Sequence, residues 1–419
     1  MDNEIDNSIA DYMYNFIEDI CNKFGPRYSC SDQEKEANKW IKQEFESYCD
    51  ETYLDEFETR PNLYPQGLVK VAGLLSGISP FFIPLIYPFP ILSSILIFLG
   101  LFILVSELIF MKEWIWFLFR KKKSSNVIGV IKPVKETKFR IIFEGHTDSA
   151  KEMNIASMKE KNRYLIAVLG FIFILSSIVF SIWKFIALTL LGSNFILFQW
   201  SIFSITIIDY IYLFSAVILY PFFILLVKGF LGKSIVLGAN DNLAGTAVVA
   251  GLGKVLSNNR LDNVEVWICS QGSEEVGDKG ARAFVEKYGG LGHLDDSYSI
   301  VLECCGAADA ILLVEKDMHG IVYNKEINKK LKDIHTQIKE SNPDMLDLRV
   351  DKLKIGACDV VRYIENGYKA TALFGVEKTK NKAVNWHSKE DVPRNIDKKV
   401  LSDFLKICLK FIEDIDSSY

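Results

Sequence analysis

Hydrophobic and polar positions divide the chain into polar-patterned stretches separated by two long apolar blocks. Ile9 to Phe24 and Gln33 to Tyr48 have the periodicity of amphipathic helices, and Ser31-Asp-Gln-Glu34 has the form of a capping box opening the second. Thr52 to Phe57 reads as a strand. After the first block, Val127 to Val134 and Phe139 to Phe143 read as neighbouring strands joined by a charged turn. From Leu237 onward, helices (Asn242 to Ser257, Gly280 to Tyr288, Asn324 to Glu340, Lys398 to Phe411) alternate with strands (Val264 to Cys269, Ser299 to Glu303, Ile311 to Val314, Ala370 to Val376). That alternation predicts an α/β fold with a mainly parallel mixed sheet flanked by helices.

The apolar blocks change this picture. Gly67 to Phe119 is nearly uncharged until Glu107, and Tyr164 to Phe230 carries only Lys184, Asp209 and Lys228. A crossing needs about 20 apolar residues, so each block has room for roughly two. Ile91 to Phe110 is the clearest crossing of the first block. The half before it, with Gly73, Gly77, Pro80 and Pro84, suits a kinked or partly re-entrant segment, and Tyr87-Pro-Phe-Pro90 marks the turn. In the second block the strongest crossings are Tyr164 to Ile182 and about Ile205 to Leu226; Phe185 to Ser204 is apolar enough for a third by hydropathy alone. The predicted organisation is a soluble amino-terminal part at 1–64, a transmembrane hairpin at 65–119, strands at 120–156, a second hairpin at 157–233 and the main domain at 234–419. Without the blocks, on the order of 290 residues remain, enough for one large domain.

The chain has 419 residues, 49% of them hydrophobic, and a formal net charge of −5, which leaves no basic field for nucleic acid. The acidic start, Met1-Asp-Asn-Glu-Ile-Asp6, lacks the basic and apolar regions of a signal peptide. Eight scattered cysteines include no C-x-x-C, and no N-x-S/T sequon occurs, which suits a reducing, cytosolic face.

Candidate chemistry sits at strand ends and loops. His146 and Asp148 follow a strand. Asp241 lies in Asn240-Asp-Asn242, Glu274 and Glu275 follow another strand, Glu303 ends a third, and His387 follows Trp386. A two-metal hydrolase needs oxygen and imidazole ligands on two ions about 3.5–4 Å apart, a bridging carboxylate and a base. His146 would bind one metal, Asp148 would orient its imidazole, Asp241 would bridge, Glu303 would add a ligand, and His387 would complete the second ion. Of the adjacent Glu274 and Glu275, one can bind metal while the other stays free as base. Imidazole and carboxylate without thiolate suit zinc, with cobalt or manganese as substitutes. His293, His319 and His335 fall outside this series and read as surface residues, and Cys304-Cys305 as small buried hydrophobes.

These motifs resemble, in order and type, those of the clan MH di-zinc metallopeptidases, which include bacterial zinc aminopeptidases, glutamate carboxypeptidase II and glutaminyl cyclases. The matching stretches are Gly145-His-Thr-Asp-Ser149, Asn240-Asp-Asn-Leu-Ala-Gly245, Glu274-Glu-Val-Gly-Asp-Lys-Gly280, Glu303 and Trp386-His-Ser-Lys-Glu-Asp391, with Gly25-Pro-Arg27 near the start. The resemblance implies a zinc aminopeptidase-like fold, two Zn2+, Glu274 as general base and Glu275 as ligand. This chain departs from the family in using Glu303 where Asp is common, and Trp386 where a Tyr hydroxyl usually helps the oxyanion; the Trp386 indole N–H can donate one hydrogen bond but cannot titrate. The membrane blocks inserted in the catalytic domain are a larger departure.

The function expected is a membrane-anchored zinc metallopeptidase, most simply an aminopeptidase acting on peptides. The alternative is an inactive receptor or scaffold on the same fold; the full ligand set with Glu274 disfavours it. A transporter is disfavoured by scarce intramembrane charge. Because His146 and Asp241 must meet at one site, the chain between them must cross the membrane an even number of times. Four crossings in two hairpins follow, with Phe185 to Ser204 interfacial, re-entrant or an extension of its neighbours. Lys70, Arg120 to Lys123, Lys151, Lys159, Lys161, Arg163, Lys228 and Lys233 flank the peptidase side and only Lys184 lies toward the other, so the peptidase is expected in the cytoplasm, at the cell membrane.

Overall fold

The computed structural model describes residues 7–110, 112–155, 158–354 and 356–419; the acidic start Met1 to Asp6 lies outside these. Helices α1 (Asn7–Phe24) and α2 (Asp32–Glu46) precede strand β1 (Glu51–Thr59). A first insert carries α3 (Gln66–Ile78) and α4 (Ile91–Leu108), and the chain returns as β2 (Lys122–Ile131) and β3 (Phe139–His146). A second insert holds α5 (Glu160–Leu191), a small hairpin of β4 (Phe198–Trp200) and β5 (Phe203–Ile205), and α6 (Ile207–Phe230). Then follow α7 (Ala244–Asn258), β6 (Val264–Gln271), α8 (Lys279–Phe284), β7 (Ser297–Glu303), β8 (Ala310–Lys316), α9 (Lys325–Ser341), β9 (Asp347–Lys352), α10 (Val360–Glu365), β10 (Ala370–Val376) and α11 (Lys398–Asp416).

Two compact units result. One comprises 1–61, 121–152 and 234–419; the other comprises 62–120 and 153–233. The first is built on an eight-stranded sheet in the order β1-β2-β6-β3-β7-β10-β8-β9. Strands β6, β3, β7 and β10 run parallel, as do β8 and β9, whereas β1–β2, β2–β6 and β10–β8 pair antiparallel. The sheet is therefore mixed with a parallel centre, as the alternating pattern implies. Both faces are covered because strand residues alternate sides. Ile141, Phe143, Ile300 and Leu302 pack with residues of α1, α2, α7, α9 and α11, while Ile142, Val301, Leu312 and Ala372 pack with Phe284, Tyr288 and Tyr363 on the other face.

Local signals account for several boundaries. Ser31 accepts a hydrogen bond from the Glu34 amide at 3.1 Å and so caps α2. Glu34 does not complete the box; it turns inward and accepts from the amides of Cys30 and Ser273 and the Ser124 hydroxyl. Two elements escape the hydropathy pattern: β9, a half-buried edge strand rich in charge, and the six-residue α10.

In the second unit, Ile91–Leu108, Glu160–Phe195 and Ile207–Phe230 are long and apolar enough to cross a membrane. The half-block before α4 forms the 13-residue α3 and a single tighter turn at Ser79–Phe82. Phe185 to Ser204 is not a separate helix: it extends α5 to Leu191 and then forms the β4–β5 hairpin. Phe98, Phe102, Leu175, Val179, Phe214 and Val217 are exposed on these helices, whereas their polar residues turn inward. Lys184, fully buried, bonds to Asp209 at 2.9 Å and to the Ser204 carbonyl at 2.5 Å. Ser94 pairs with Ser181, and Ser177 with Tyr212.

Candidate metal centre

The carboxy-terminal ends of the central strands build the site, where parallel sheets place their chemistry. His146 ends β3. Glu274 and Glu275 lie in the turn after β6, Glu303 ends β7, and Asp241 sits in the irregular turn leading into α7. His387 arrives from the loop between β10 and α11. Close packing brings α7 to the end of β3: a Cβ on Gly145 would stand 2.5 Å from the Thr246 amide nitrogen, so a larger residue would push α7 away. The Thr246 hydroxyl then donates to the His146 carbonyl at 3.1 Å.

Six of the seven acidic and histidine candidates converge, and the seventh, Asp148, stands behind them. His146 Nε2 lies 3.5 Å from Asp241 Oδ1, 3.8 Å from Glu303 Oε2 and 3.6 Å from Glu274 Oε2. His387 Nε2 lies 3.3 Å from Asp241 Oδ2 and 3.0 Å from Glu275 Oε2. Asp241 thus faces both imidazoles, one with each oxygen. Ligand atoms at 2.0–2.1 Å on a tetrahedral zinc stand about 3.3 Å apart, so these spacings suit two adjacent ions. Asp241 Oδ2, Glu275 Oε1 and Glu303 Oε1 are buried and accept no hydrogen bond from the described residues. Such acceptors are costly unless something supplies positive charge.

Electrostatics agree. Burial pushes the Glu274, Glu275 and Glu303 carboxyls up, Glu274 and Glu303 well above the carboxylate range, and neighbouring carboxylates add to the shift. Burial alone would lower both histidines, but the facing carboxylates outweigh it, holding His146 well above its usual value and His387 at about 10. Asp241 is lowered despite its burial because both imidazoles face it. So many acidic groups crowded together out of water form a site that a bound cation would relieve.

Supporting residues fix these side chains. His146 Nδ1 lies 3.1 Å from the main-chain oxygen of Asp148 and 3.5 Å from its carboxylate, which leaves Nε2 facing the cluster. The Asp148 carboxylate accepts from the Glu274 and Glu275 amides at 2.9 and 3.2 Å, so the same residue shapes the neighbouring turn. Trp386 stacks on the His387 ring with centroids 4.1 Å apart. Two contributors carry no role in the sequence reading although both lie in its motifs. Asp391 accepts from the Asn240 and Asp241 amides at 2.5 and 3.2 Å. Arg27, fully buried, donates to the carbonyls of Thr147, Gly25 and Gly238 and ties the His146 loop to the Asp241 turn.

Cys304 and Cys305 are buried, and burial pushes both thiols up. The Cys304 sulfur nonetheless lies within 4.8 Å of carboxylate oxygens of Asp241 and Glu303. The surface reading of His335 is corrected: it is buried on the apolar stripe of α9 and bonds to the Leu346 carbonyl at 2.8 Å. His293 is half-buried beside Trp267, at 5.4 Å between centroids.

Comparison with known proteins supports the resemblance read from the motifs. Residues 226–412 match the sequence model of Peptidase family M28. No curated protein matches the chain in sequence. Among solved structures, a zinc aminopeptidase from Bacillus subtilis is similar with a TM-score of 0.56 and 13% identity, over 97% of this chain and 95% of that one. A glutaminyl cyclase from Bacteroides thetaiotaomicron gives 0.55 and 12% over 96% and 97%. A leucine aminopeptidase precursor from the same organism gives 0.53 and 13% over 96% of each chain. The fold is that of the zinc aminopeptidases and glutaminyl cyclases, and the clan MH resemblance holds for the segment carrying Asp241, Glu274, Glu275, Glu303 and His387.

Proposed function

We propose that the chain is a membrane-anchored, zinc-dependent metallopeptidase that removes amino-terminal residues from peptides. The observation that carries this reading is Asp241, whose two oxygens face His146 and His387 at 3.5 and 3.3 Å. His146 and Glu303 would hold one zinc ion, His387 and Glu275 the other, and Asp241 would bridge them. Bound there, two zinc ions supply a Lewis acid for the scissile carbonyl and an activated water.

This chain's residues do the rest. Glu274 stands beside the ligands but has the adjacent Glu275 in the ligand position, so it is free to accept the proton of the attacking water and pass it to the leaving amine. Asp148 holds the Glu274–Glu275 turn through two amides and faces His146 Nδ1. Trp386 is the candidate donor to the oxyanion through its indole N–H. The test is hydrolysis by the zinc-loaded protein of a panel of aminoacyl and acyl-dipeptide substrates. Release of amino-terminal residues is expected. Zinc binding with no hydrolysis of any member would instead support the inactive receptor reading.

For the membrane part, both inserts leave and rejoin the sheet-bearing unit at neighbouring points. Thr59 pairs with Lys122, and the Glu152 amide bonds to the Ser234 carbonyl at 2.8 Å. Each insert must then cross an even number of times. Helices α5 and α6 provide one pair; α4 provides one crossing of the other, and α3 with its following turn is the segment left for the return. We therefore read four crossings, with the peptidase unit in the cytoplasm by the distribution of lysine and arginine. Cysteines introduced near Gly145 and Lys389 are expected to label only after the cytoplasmic side is opened. Labelling of either from outside intact cells would overturn the orientation.

A further inference from the structure

The turn after β6 that carries Glu274 and Glu275 is held by its main-chain amides. Four consecutive N–H groups donate to three buried side chains from other parts of the chain. The Gly272 amide donates to Asn126 Oδ1 at 3.0 Å and the Ser273 amide to Glu34 Oε1 at 3.0 Å. The Glu274 and Glu275 amides donate to the two Asp148 oxygens at 2.9 and 3.2 Å. Asn126 lies on β2, Asp148 follows β3, and Glu34 lies in the first turn of α2. Ser273 itself has a left-handed backbone, with φ of 60°, which a residue with a side chain keeps only where its surroundings impose it.

Glu34 and Asn126 lie outside the metal-site motifs, and Glu34 is the charged one. A fully buried carboxylate is costly unless donors surround it, and here they do. Its Oε1 also accepts from the Ser124 hydroxyl at 2.9 Å, and its Oε2 accepts from the Cys30 amide at 2.6 Å. The Ser273 hydroxyl pairs with that of Ser29 at 2.6 Å, a second contact from the same segment. Holding α2 on the sheet does not need Glu34. Ala37, Ile41 and Phe45 are fully buried in the core, and Asn38 donates to the Ser125 carbonyl at 2.8 Å. What Glu34 supplies beyond that is an acceptor for the amide of the residue before Glu274.

We infer that Glu34 is a positioning residue for Glu274, holding the Ser273 amide while Asp148 holds the next two and so fixing where the Glu274 carboxylate stands. This rests on the peptidase reading, with Glu274 as its base. Fixed amides at 273, 274 and 275 restrain the backbone of the turn on both sides of Glu274. Its Oε2 is thereby kept 3.6 Å from His146 Nε2, beside the other candidate ligands. Without Glu34, the Ser273 peptide is left to relax from its left-handed conformation, and the Glu274 side chain, one residue on, moves with it. Glu275 lies a residue further along with its own amide still held by Asp148, so metal should stay bound. Proton transfer is sensitive to such a shift: about 1 Å of misplacement can cost about 100-fold in rate.

The experiment is a double-mutant cycle on the zinc-loaded, full-length protein, using the fastest substrate of the aminoacyl panel. Glu34→Ala is expected to lower kcat about 10- to 100-fold, with KM nearly unchanged and the zinc content intact. In a Glu274→Gln background no base remains to be positioned, and the same substitution should lower kcat no further. A residue that only supports the fold would cost the same factor in both backgrounds. Glu34→Gln is the second variant should Glu34→Ala fail to fold. It fills the same space but brings one acceptor oxygen to the Cys30 and Ser273 amides, which now have one each. A smaller loss is expected from it, with the same dependence on Glu274. Unchanged kcat, an equal loss in both backgrounds, or loss of zinc would overturn the positioning role while leaving the peptidase reading intact. No turnover of any panel member by the unaltered protein would remove the peptidase reading and this role together.

Discussion

Replacing Glu274 by glutamine is expected to lower kcat by about 10²–10⁴ while both zinc ions stay bound, the range a positioned general base contributes. Glutamine keeps the size and the hydrogen-bonding shape of the side chain but cannot accept the proton. The turn that carries it should survive, because the backbone amides of 274 and 275 are held by Asp148 and not by the Glu274 side chain. The neighbouring Glu275→Ala should behave differently and lose metal, since its Oε2 lies 3.0 Å from His387 Nε2. Steady-state kinetics beside zinc analysis separate the two. Near-normal turnover in Glu274→Gln would assign the base elsewhere.

A larger loss is expected from Asp241→Ala, which should reduce activity to background and leave less than about one zinc per chain. Asp241 faces both imidazoles, so its removal costs each ion a ligand. The remaining pairs, His146 with Glu303 and His387 with Glu275, fall short of the three protein ligands usual at a catalytic zinc. Metal binding also stabilises the folded chain in proportion to the logarithm of ligand concentration over Kd, so the variant should show a lower unfolding temperature that added zinc no longer raises. The unaltered protein, stripped by a chelator, should approach the variant's behaviour and recover on readdition of zinc. An Asp241→Ala protein with two tightly held ions would rule out the bridging role.

Much of the candidate site was legible because its residues lie in short acidic and histidine motifs at strand ends. His146, Glu303 and the Glu274–Glu275 pair each follow a buried apolar run, and Asp241 precedes a helix. The parallel centre of the sheet followed from alternating helices and strands. Its antiparallel margins did not, because the pairing of β2 with β6 or β10 with β8 joins strands far apart in the chain. Strand β9 was missed because Asp347-Leu-Arg-Val-Asp-Lys352 is charged and lies at the edge of the sheet. His335 was misread although the stripe of Ile327, Leu331, Ile334 and Ile338 on α9 offered a signal for its burial. The division of the first block into a short α3 and a full-length α4 was not legible, because it depends on packing within that insert.

A two-metal centre is tested most directly by counting metals. Purified full-length protein, reconstituted with zinc and freed of excess, should hold about two equivalents per chain by elemental analysis, as expected for two adjacent ions sharing one carboxylate. Glu274→Gln should retain that number. Unaltered protein holding no zinc, cobalt or manganese after reconstitution would contradict the assignment of His146, Asp241, Glu275, Glu303 and His387 as ligands.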